Sequence, residues 1–172
     1  MKIVFVISFQ DFRDEEYFVP KEILKSKGFR IMTVSSETGK AIGADGGEVT
    51  INKKIKDLNI EKIDALVFVG GPGCLKHLDN EDSYQLIQEA HSKNKLIAAI
   101  CISPVILAKA GVLEGKKATV WSKPLDKSAI DILEENGAIF EDSGVVLDDN
   151  IITSKGPDFA KDFGLKIFEA LT

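Results

Sequence analysis

Leu96-Ile97-Ala98-Ala99-Ile100-Cys101-Ile102-Ser103-Pro104 decides the fold, because an apolar strand runs here straight into a helix with a cysteine at the junction. A continuous apolar run is typical of a strand that is covered on both faces of a sheet. So tight a turn forces the junction residue into a strained backbone conformation and holds its side chain above the sheet. The stretch therefore predicts a buried strand that ends in a cysteine at the edge of a cleft.

Apolar strands alternate with helices on both sides of this stretch. We predict strands at residues 2–8, 29–35, 63–69, 96–100, 117–120, 138–140, 144–147 and 151–154. We predict helices at residues 14–27, 80–95, 103–110, 128–135 and 157–171. Residues 39–52 resemble a glycine-rich turn with a short hairpin. This alternation predicts an α/β fold with a mostly parallel sheet between two layers of helices.

Length and composition are those of a compact globular protein. The chain has 172 residues, of which 44% are hydrophobic and 28% are charged, and we expect residues 1–172 to form a single domain. The net charge of −5 and the scattered basic residues argue against a nucleic-acid partner.

The first strand and the cysteine content bear on location and cofactors. The apolar run in MKIVFVISFQ is too short for a signal sequence or a membrane span. Cys74 and Cys101 are the only cysteines, and neither has the spacing of a zinc site or of a disulfide scaffold. We expect a cytoplasmic protein without a metal, a cofactor or a membrane partner.

Three segments follow predicted strands and are expected to meet in one cleft, since ligands bind at the carboxyl ends of parallel strands. They are residues 8–16, 70–74 and 101–104. A helix N-terminus beside Cys101 favours the thiolate and predicts a lowered pKa for this cysteine. The alternative is that Cys101 is only a small buried side chain.

The other two segments offer partners for Cys101. Gly70-Gly71-Pro72-Gly73 exposes backbone amides that, together with the amide of Ile102, form a two-donor hole for a developing oxyanion. The same glycines also suit a simple tight connection. In Asp14-Glu15-Glu16, one carboxyl group is expected to exchange a proton with the cysteine, although such residues are also common helix caps.

Three further residues are candidate accessory groups. His77 follows the glycine turn and is a candidate base, whereas His91 lies among polar residues and is expected on the surface. Cys74 is a candidate resolving thiol if it lies near Cys101. Trp121 ends a predicted strand and is expected either to line the cleft or to lie in the core.

The segments AICISP, ALVFVGGPG and DEEYFVP, in their order along nearly the whole chain, resemble the ThiJ/PfpI superfamily. The resemblance implies a three-layer flavodoxin-like sandwich with a cysteine nucleophile at the turn, here Cys101. It also implies a glutamate from the first helix, here Glu16, which stands four residues before Pro20 as in that family. The implied backbone oxyanion donors are Gly71 and Ile102.

The sequence departs from the superfamily at three positions. One branch has a histidine directly after the cysteine, where this chain has Ile102. The same branch has an acidic residue, shared across a subunit interface, near the position of Cys74. Another branch has a histidine near the position of Trp121. His77 is therefore the only candidate for a histidine base.

The resemblance implies a cofactor-free thiol enzyme that acts on small reactive carbonyl compounds, as glyoxalases and deglycases do, in protection against stress. A cysteine peptidase or amidase is the alternative enzyme, and a redox-sensing protein with an oxidisable Cys101 is the non-enzymatic alternative. We expect a homodimer or a larger homo-oligomer.

Overall fold

The fold follows from a computed structural model that describes all 172 residues. The strands are β1 (Lys2–Val6), β2 (Gln10–Phe12), β3 (Arg30–Val34), β4 (Gly39–Gly43), β5 (Glu48–Ile51), β6 (Ala65–Phe68), β7 (Leu96–Ile100), β8 (Lys117–Ala118), β9 (Ile139–Phe140), β10 (Val145–Asp148) and β11 (Ile151–Ser154). The helices are α1 (Asp14–Ser26), α2 (Cys74–Leu78), α3 (Glu81–Ser92), α4 (Pro104–Lys109), α5 (Ser128–Glu135) and α6 (Ala160–Leu171).

A six-stranded sheet in the order β10-β11-β7-β6-β1-β3 forms the centre of the molecule. All its neighbouring strands are parallel except the hairpin of β10 and β11. The strands β7, β6 and β1 are central and fully buried along most of their length, as the continuous apolar runs predict. The predicted α/β class and mostly parallel sheet are confirmed.

Side chains on the two faces of this sheet form two separate hydrophobic clusters. On one face, Ile3 and Phe5 pack with α1 and α6. On the other face, Val4 and Val6 pack with α2, α3, α4 and α5. Because alternate residues of one strand enter different clusters, the sheet is covered by helices on both sides, which gives the expected three-layer, flavodoxin-like sandwich. No helix is both long enough and apolar enough to cross a membrane.

Among the strands and α-helices, two elements were not predicted from the sequence. The strand β2 pairs in parallel with β4 and extends the predicted hairpin of β4 and β5 into a small three-stranded sheet. Its three residues are too few to show an alternating pattern. The helix α2 begins at Cys74, directly after the glycine turn, and its five residues are too few to show helical periodicity.

The helix α1, which carries Glu16, is held in place by close packing against α6. A Cβ atom on Gly164 would lie only 2.9 Å from the Cα of Pro20 and 3.3 Å from the side chain of Ile23. Backbone atoms cannot move aside as a flexible side chain can. The absence of a side chain at Gly164 therefore sets the distance between the two helices.

We predict that Gly164→Val destabilises the protein by about 2 kcal/mol, the usual cost of overpacking a close contact. The matched control is Ala170→Val, which adds a branched side chain to an exposed position of the same helix. Urea unfolding of both variants measures the difference. Equal stability of the two variants would show that the α1–α6 contact tolerates the added atoms.

Candidate active site

Cys101 lies directly after β7 in a conformation that few residues other than glycine adopt. Its φ is +66°, the left-handed region that is strained for a residue with a side chain. Two backbone hydrogen bonds hold it there: its N–H donates to the carbonyl of Ser154 at 2.8 Å, and its carbonyl accepts from the N–H of Trp121 at 2.9 Å. The surrounding structure thus fixes the strained turn that the sequence predicts.

Ser103 closes the turn from inside the protein and was not singled out in the sequence. Its buried hydroxyl lies 3.0 Å from the N–H of Ile100, 2.8 Å from the carbonyl of Ile100 and 3.0 Å from the carbonyl of Phe68. The hydroxyl accepts from the N–H and shares its single proton between the two carbonyls. It thereby ties the end of β7 to the end of the neighbouring strand β6.

Glu16 lies in the first turn of α1 and is fully buried. Its Oε2 accepts a hydrogen bond from the N–H of Gly70 at 3.1 Å, and its carboxyl group also interacts with the thiol of Cys101. Oε1 is buried without a hydrogen-bond partner. The neighbouring Glu15 is exposed, and Asp14 instead accepts from the N–H groups of Asp45 and Gly47. Glu16 is therefore the member of the acidic trio that reaches the cysteine.

The absence of a side chain at Gly70 allows this contact. A Cβ atom on Gly70 would lie 2.6 Å from the Cβ of Cys101 and 2.7 Å from Oε2 of Glu16. The next residue, Gly71, has a φ of +113° and packs against backbone atoms, including the nitrogen of Arg13. Gly70 and Gly71 are thus both required by close approach, and Gly71 also by its backbone conformation.

Burial and proximity change the acidity of Glu16 and Cys101. Burial raises the pKa of Glu16 to about 7, although the Cys101 thiol, the Arg13 charge and the Gly70 amide each favour ionisation. Burial, followed by the negative charge of Glu16, raises the pKa of Cys101 as well, while hydrogen bonds from the backbone amides of Gly71 and Ile102 lower it.

The expected lowering of the Cys101 pKa is therefore wrong in direction. The helix α4 has only six residues and begins three residues beyond the cysteine, so its dipole is small compared with desolvation and a neighbouring carboxylate. A carboxylate of raised basicity is, however, a better acceptor for the thiol proton. The pair is thus suited to exchange one proton when the sulfur attacks a substrate.

The Cys101 side chain opens into a cavity of about 300 Å³, large enough for a small organic molecule. Nine residues line it: Arg13, Glu16, Gly71, Pro72, Leu75, Cys101, Ile102, Trp121 and Pro157. The cavity brings together residues that follow β1, β6 and β7, as the rule for parallel sheets predicts. It also includes Arg13, Leu75 and Pro157, which the sequence analysis did not identify.

The three candidate accessory residues differ in position. Trp121 lines the cavity, is partly exposed and lies below the amino group of Lys123, which is 5.5 Å from its ring centre. His77 is partly buried in α2 and does not line the cavity. Cys74 is fully buried in the core and does not line the cavity either, and burial raises the pKa of its thiol. Their roles remain predictions.

Of the residues that sequence reasoning missed, Arg13 had a usable signal. It directly precedes the acidic start of α1 and therefore lies at the carboxyl-terminal edge of the sheet. Leu75 and Pro157 had no such signal, because a leucine in a short helix and a proline before a helix are common in any fold.

Comparison with known proteins identifies the family. The model of the DJ-1/PfpI family matches residues 1–170. A solved ThiJ/PfpI domain protein from Brachyspira murdochii is similar, with a TM-score of 0.93 and 32% identity over 99% of this chain and 95% of that one.

Three curated relatives cover most of the chain. An uncharacterized protein of Methanocaldococcus jannaschii is 45% identical over 99% of this chain and 82% of its own. A deglycase of Pyrococcus horikoshii is 34% identical over 91% of both chains. A glutathione-independent glyoxalase of Caenorhabditis elegans is 30% identical over 94% of this chain and 84% of its own. With the family model covering nearly every residue, the chain belongs to the DJ-1/PfpI family.

Proposed function

We propose that this protein is a cofactor-free enzyme that uses Cys101 to act on small reactive carbonyl compounds, as a glyoxalase or deglycase. The observation that carries the proposal is the contact of a strained cysteine with a buried carboxyl group of raised pKa inside a small cavity. The names of two relatives, a glyoxalase and a deglycase, support the same class of substrate.

The first step is the addition of the Cys101 sulfur to an aldehyde carbon. A new carbon–sulfur bond forms, the π electrons of the carbonyl move to oxygen, and the thiol proton passes to the carboxylate of Glu16. Glu16 then returns the proton to the alkoxide, which gives a neutral hemithioacetal. The net step needs no oxidant, and one buried acid serves both proton transfers.

The backbone amides of Gly71 and Ile102 are the proposed stabilisers of the developing negative charge. Neither amide donates to a backbone carbonyl, and both are directed at the sulfur in the resting state. When the sulfur bonds to carbon, the negative charge moves to an oxygen one atom away. Because both amides are already fixed in the protein, they can stabilise the negative charge on this oxygen without reorganisation.

The two alternative functions use the same cysteine differently. Peptide hydrolysis must protonate an amine leaving group, a role that histidine fills most often, and neither His77 nor His91 lines the cavity. A sensor with Cys74 as resolving thiol needs the two sulfurs to meet, whereas Cys74 is fully buried in the core. The location in the cytoplasm, the single-domain organisation and the homodimer or larger homo-oligomer stay predictions.

We predict that Cys101→Ala abolishes turnover of methylglyoxal while the protein remains folded, because the substrate then has no nucleophile. Cys74→Ala removes the other thiol and is expected to keep at least about half the activity, since it does not touch the cavity. Lactate formation and circular dichroism provide the two measurements. Unchanged turnover in Cys101→Ala, or peroxide oxidation of Cys101 without turnover of any aldehyde, contradicts the proposal.

We predict that the kcat/KM of the wild-type protein for methylglyoxal rises with pH, reaches half of its maximum near pH 7 and levels off above about pH 8. The reason is that the carboxylate of Glu16 must be ionised to accept the thiol proton, and its pKa is about 7. Glu16→Gln removes this acceptor and is expected to lower kcat/KM by at least about a hundredfold. A flat profile between pH 5.5 and 8.5 would contradict the assignment of Glu16.

The raised pKa of Glu16 also leads us to predict a pH-dependent difference in stability between the wild type and Glu16→Gln. A carboxyl group with a raised pKa stabilises the fold while it is protonated, and this contribution is lost as the pH rises from about 4.5 through about 7. Glu16→Gln, which resembles the protonated form, should therefore match the wild type at pH 4.5 and exceed its free energy of unfolding at pH 8.5, by up to about 3 kcal/mol. Urea unfolding at both pH values measures this, and a constant difference would contradict it.

A further inference from the structure

Arg13 is the one basic side chain that lines the cavity. Apart from Glu16, the remaining lining residues are uncharged: glycine, prolines, the cysteine and the side chains of Leu75, Ile102 and Trp121. The addition of a thiol to an aldehyde uses Cys101, Glu16 and two backbone amides. Arg13 therefore places a positive charge in the cavity that the reaction itself does not require.

The backbone of Arg13 is fixed relative to the reacting pair. Its N–H donates to the carbonyl of Gly70 at 3.1 Å, and Gly70 also binds Glu16 and packs against Cys101. Arg13 immediately precedes α1, so the helix and the glycine turn hold it from both sides. The position of the charge along the cavity wall is thus set by the same contacts that position the chemistry.

The guanidinium group itself is free to bind a ligand. Its partner is Asp45, whose carboxylate lies 3.6 Å away and whose side chain is 61% exposed. An exposed ion pair of this kind contributes little to stability. The group makes no hydrogen bond within the protein, so its planar set of N–H donors remains available for a carboxylate or phosphate.

The charge balance of the cavity depends on Glu16. While Glu16 is ionised, its negative charge offsets the positive charge of Arg13. As the thiol proton moves to Glu16 in the proposed reaction, the carboxyl group becomes neutral and the charge passes through the sulfur to the substrate oxygen. Arg13 then remains as a cation in the cavity wall with only the exposed carboxylate of Asp45 opposite it, and a neutral substrate such as methylglyoxal offers it no further partner.

We propose that Arg13 selects substrates that carry an anionic group at the end away from the reactive aldehyde, so that the site takes anionic 2-oxoaldehydes. This inference rests on the proposed function for the reaction, but the selection of anions by Arg13 is testable without turnover. Cys101 attacks the aldehyde carbon as before, while the far end of the substrate binds the guanidinium group in place of Asp45.

The first test compares alkylation of Cys101 by iodoacetate and by iodoacetamide, which have similar shapes and differ in charge. In each reaction the sulfur bonds to the CH2 carbon and iodide leaves. We expect Arg13→Gln to lower the iodoacetate-to-iodoacetamide rate ratio by about tenfold, the scale of one charge-assisted hydrogen bond. Peptide mass spectrometry measures modification of Cys101 separately from Cys74.

Matched variants distinguish recognition of the anion by Arg13 from an effect of the protein's net charge. Arg30→Gln changes the chain's other arginine, which lies outside the cavity, and should leave the ratio unchanged. Arg13→Lys should retain part of the preference. Asp45→Asn removes the competing carboxylate and should raise the ratio. If Arg13→Gln and Arg30→Gln shift the ratio equally, Arg13 has no specific role in anion recognition.

The second test measures turnover of 4,5-dioxopentanoate, a 2-oxoaldehyde with a carboxylate, against its neutral primary amide. We expect the wild type to prefer the anion in kcat/KM by about tenfold and Arg13→Gln to lose the preference, mainly through KM. Turnover of both compounds without preference overturns the inference but leaves the proposed function. No turnover of either compound or of methylglyoxal, with the alkylation preference intact, overturns the proposed function but leaves Arg13 as an anion-binding residue.

Discussion

The close approach of three chain segments at Gly70 is the constraint on which the rest of the site depends. The Cβ of Cys101 and a carboxyl oxygen of Glu16 both occupy space that any side chain at this position would need. The amide of the same residue binds the carboxyl group, and its carbonyl binds the amide of Arg13. A single residue without a side chain thus joins the ends of β6 and β7 to the start of α1, and the cavity forms around that junction.

This junction also determines the electrostatics of the reacting pair. Packing the carboxyl group against the thiol removes both from water, so each holds its proton more tightly than it does in solution. Cys101 is therefore not held permanently as a thiolate in this site. The site brings the thiol into direct contact with a carboxyl group of raised basicity, and the sulfur becomes a nucleophile as its proton moves to the neighbouring oxygen. The strained backbone at Cys101 keeps the sulfur oriented for that transfer.

The sequence was sufficient to predict the features that have a repeating pattern and those that lie at the ends of strands. Continuous apolar runs predicted the buried strands β1, β6 and β7, and the position of Cys101 after one of them predicted the turn. The choice of Glu16 over Glu15 came from family spacing, and the structure explains it by burial. Arg13 and Ser103 lie within segments that were expected at the cleft, but neither was singled out, because their individual roles depend on contacts between distant segments. The predicted direction of the Cys101 pKa shift was wrong because a helix dipole can be inferred from the sequence, whereas desolvation of the thiol cannot.

The small outer sheet has a consequence for how this architecture can diversify. Asp14 binds the turn between β4 and β5, and Asp45 in that turn contacts the guanidinium group in the cavity wall. Cys101 and Glu16, by contrast, depend on the central sheet and on α1. A change in hairpin length or charge would therefore alter the surroundings of that guanidinium group, whereas the contacts between Cys101, Glu16 and Gly70 lie outside the hairpin. The hairpin can thus vary the carboxylate that faces Arg13, whereas the backbone of Arg13 itself is held by Gly70, the residue that also joins the reacting pair.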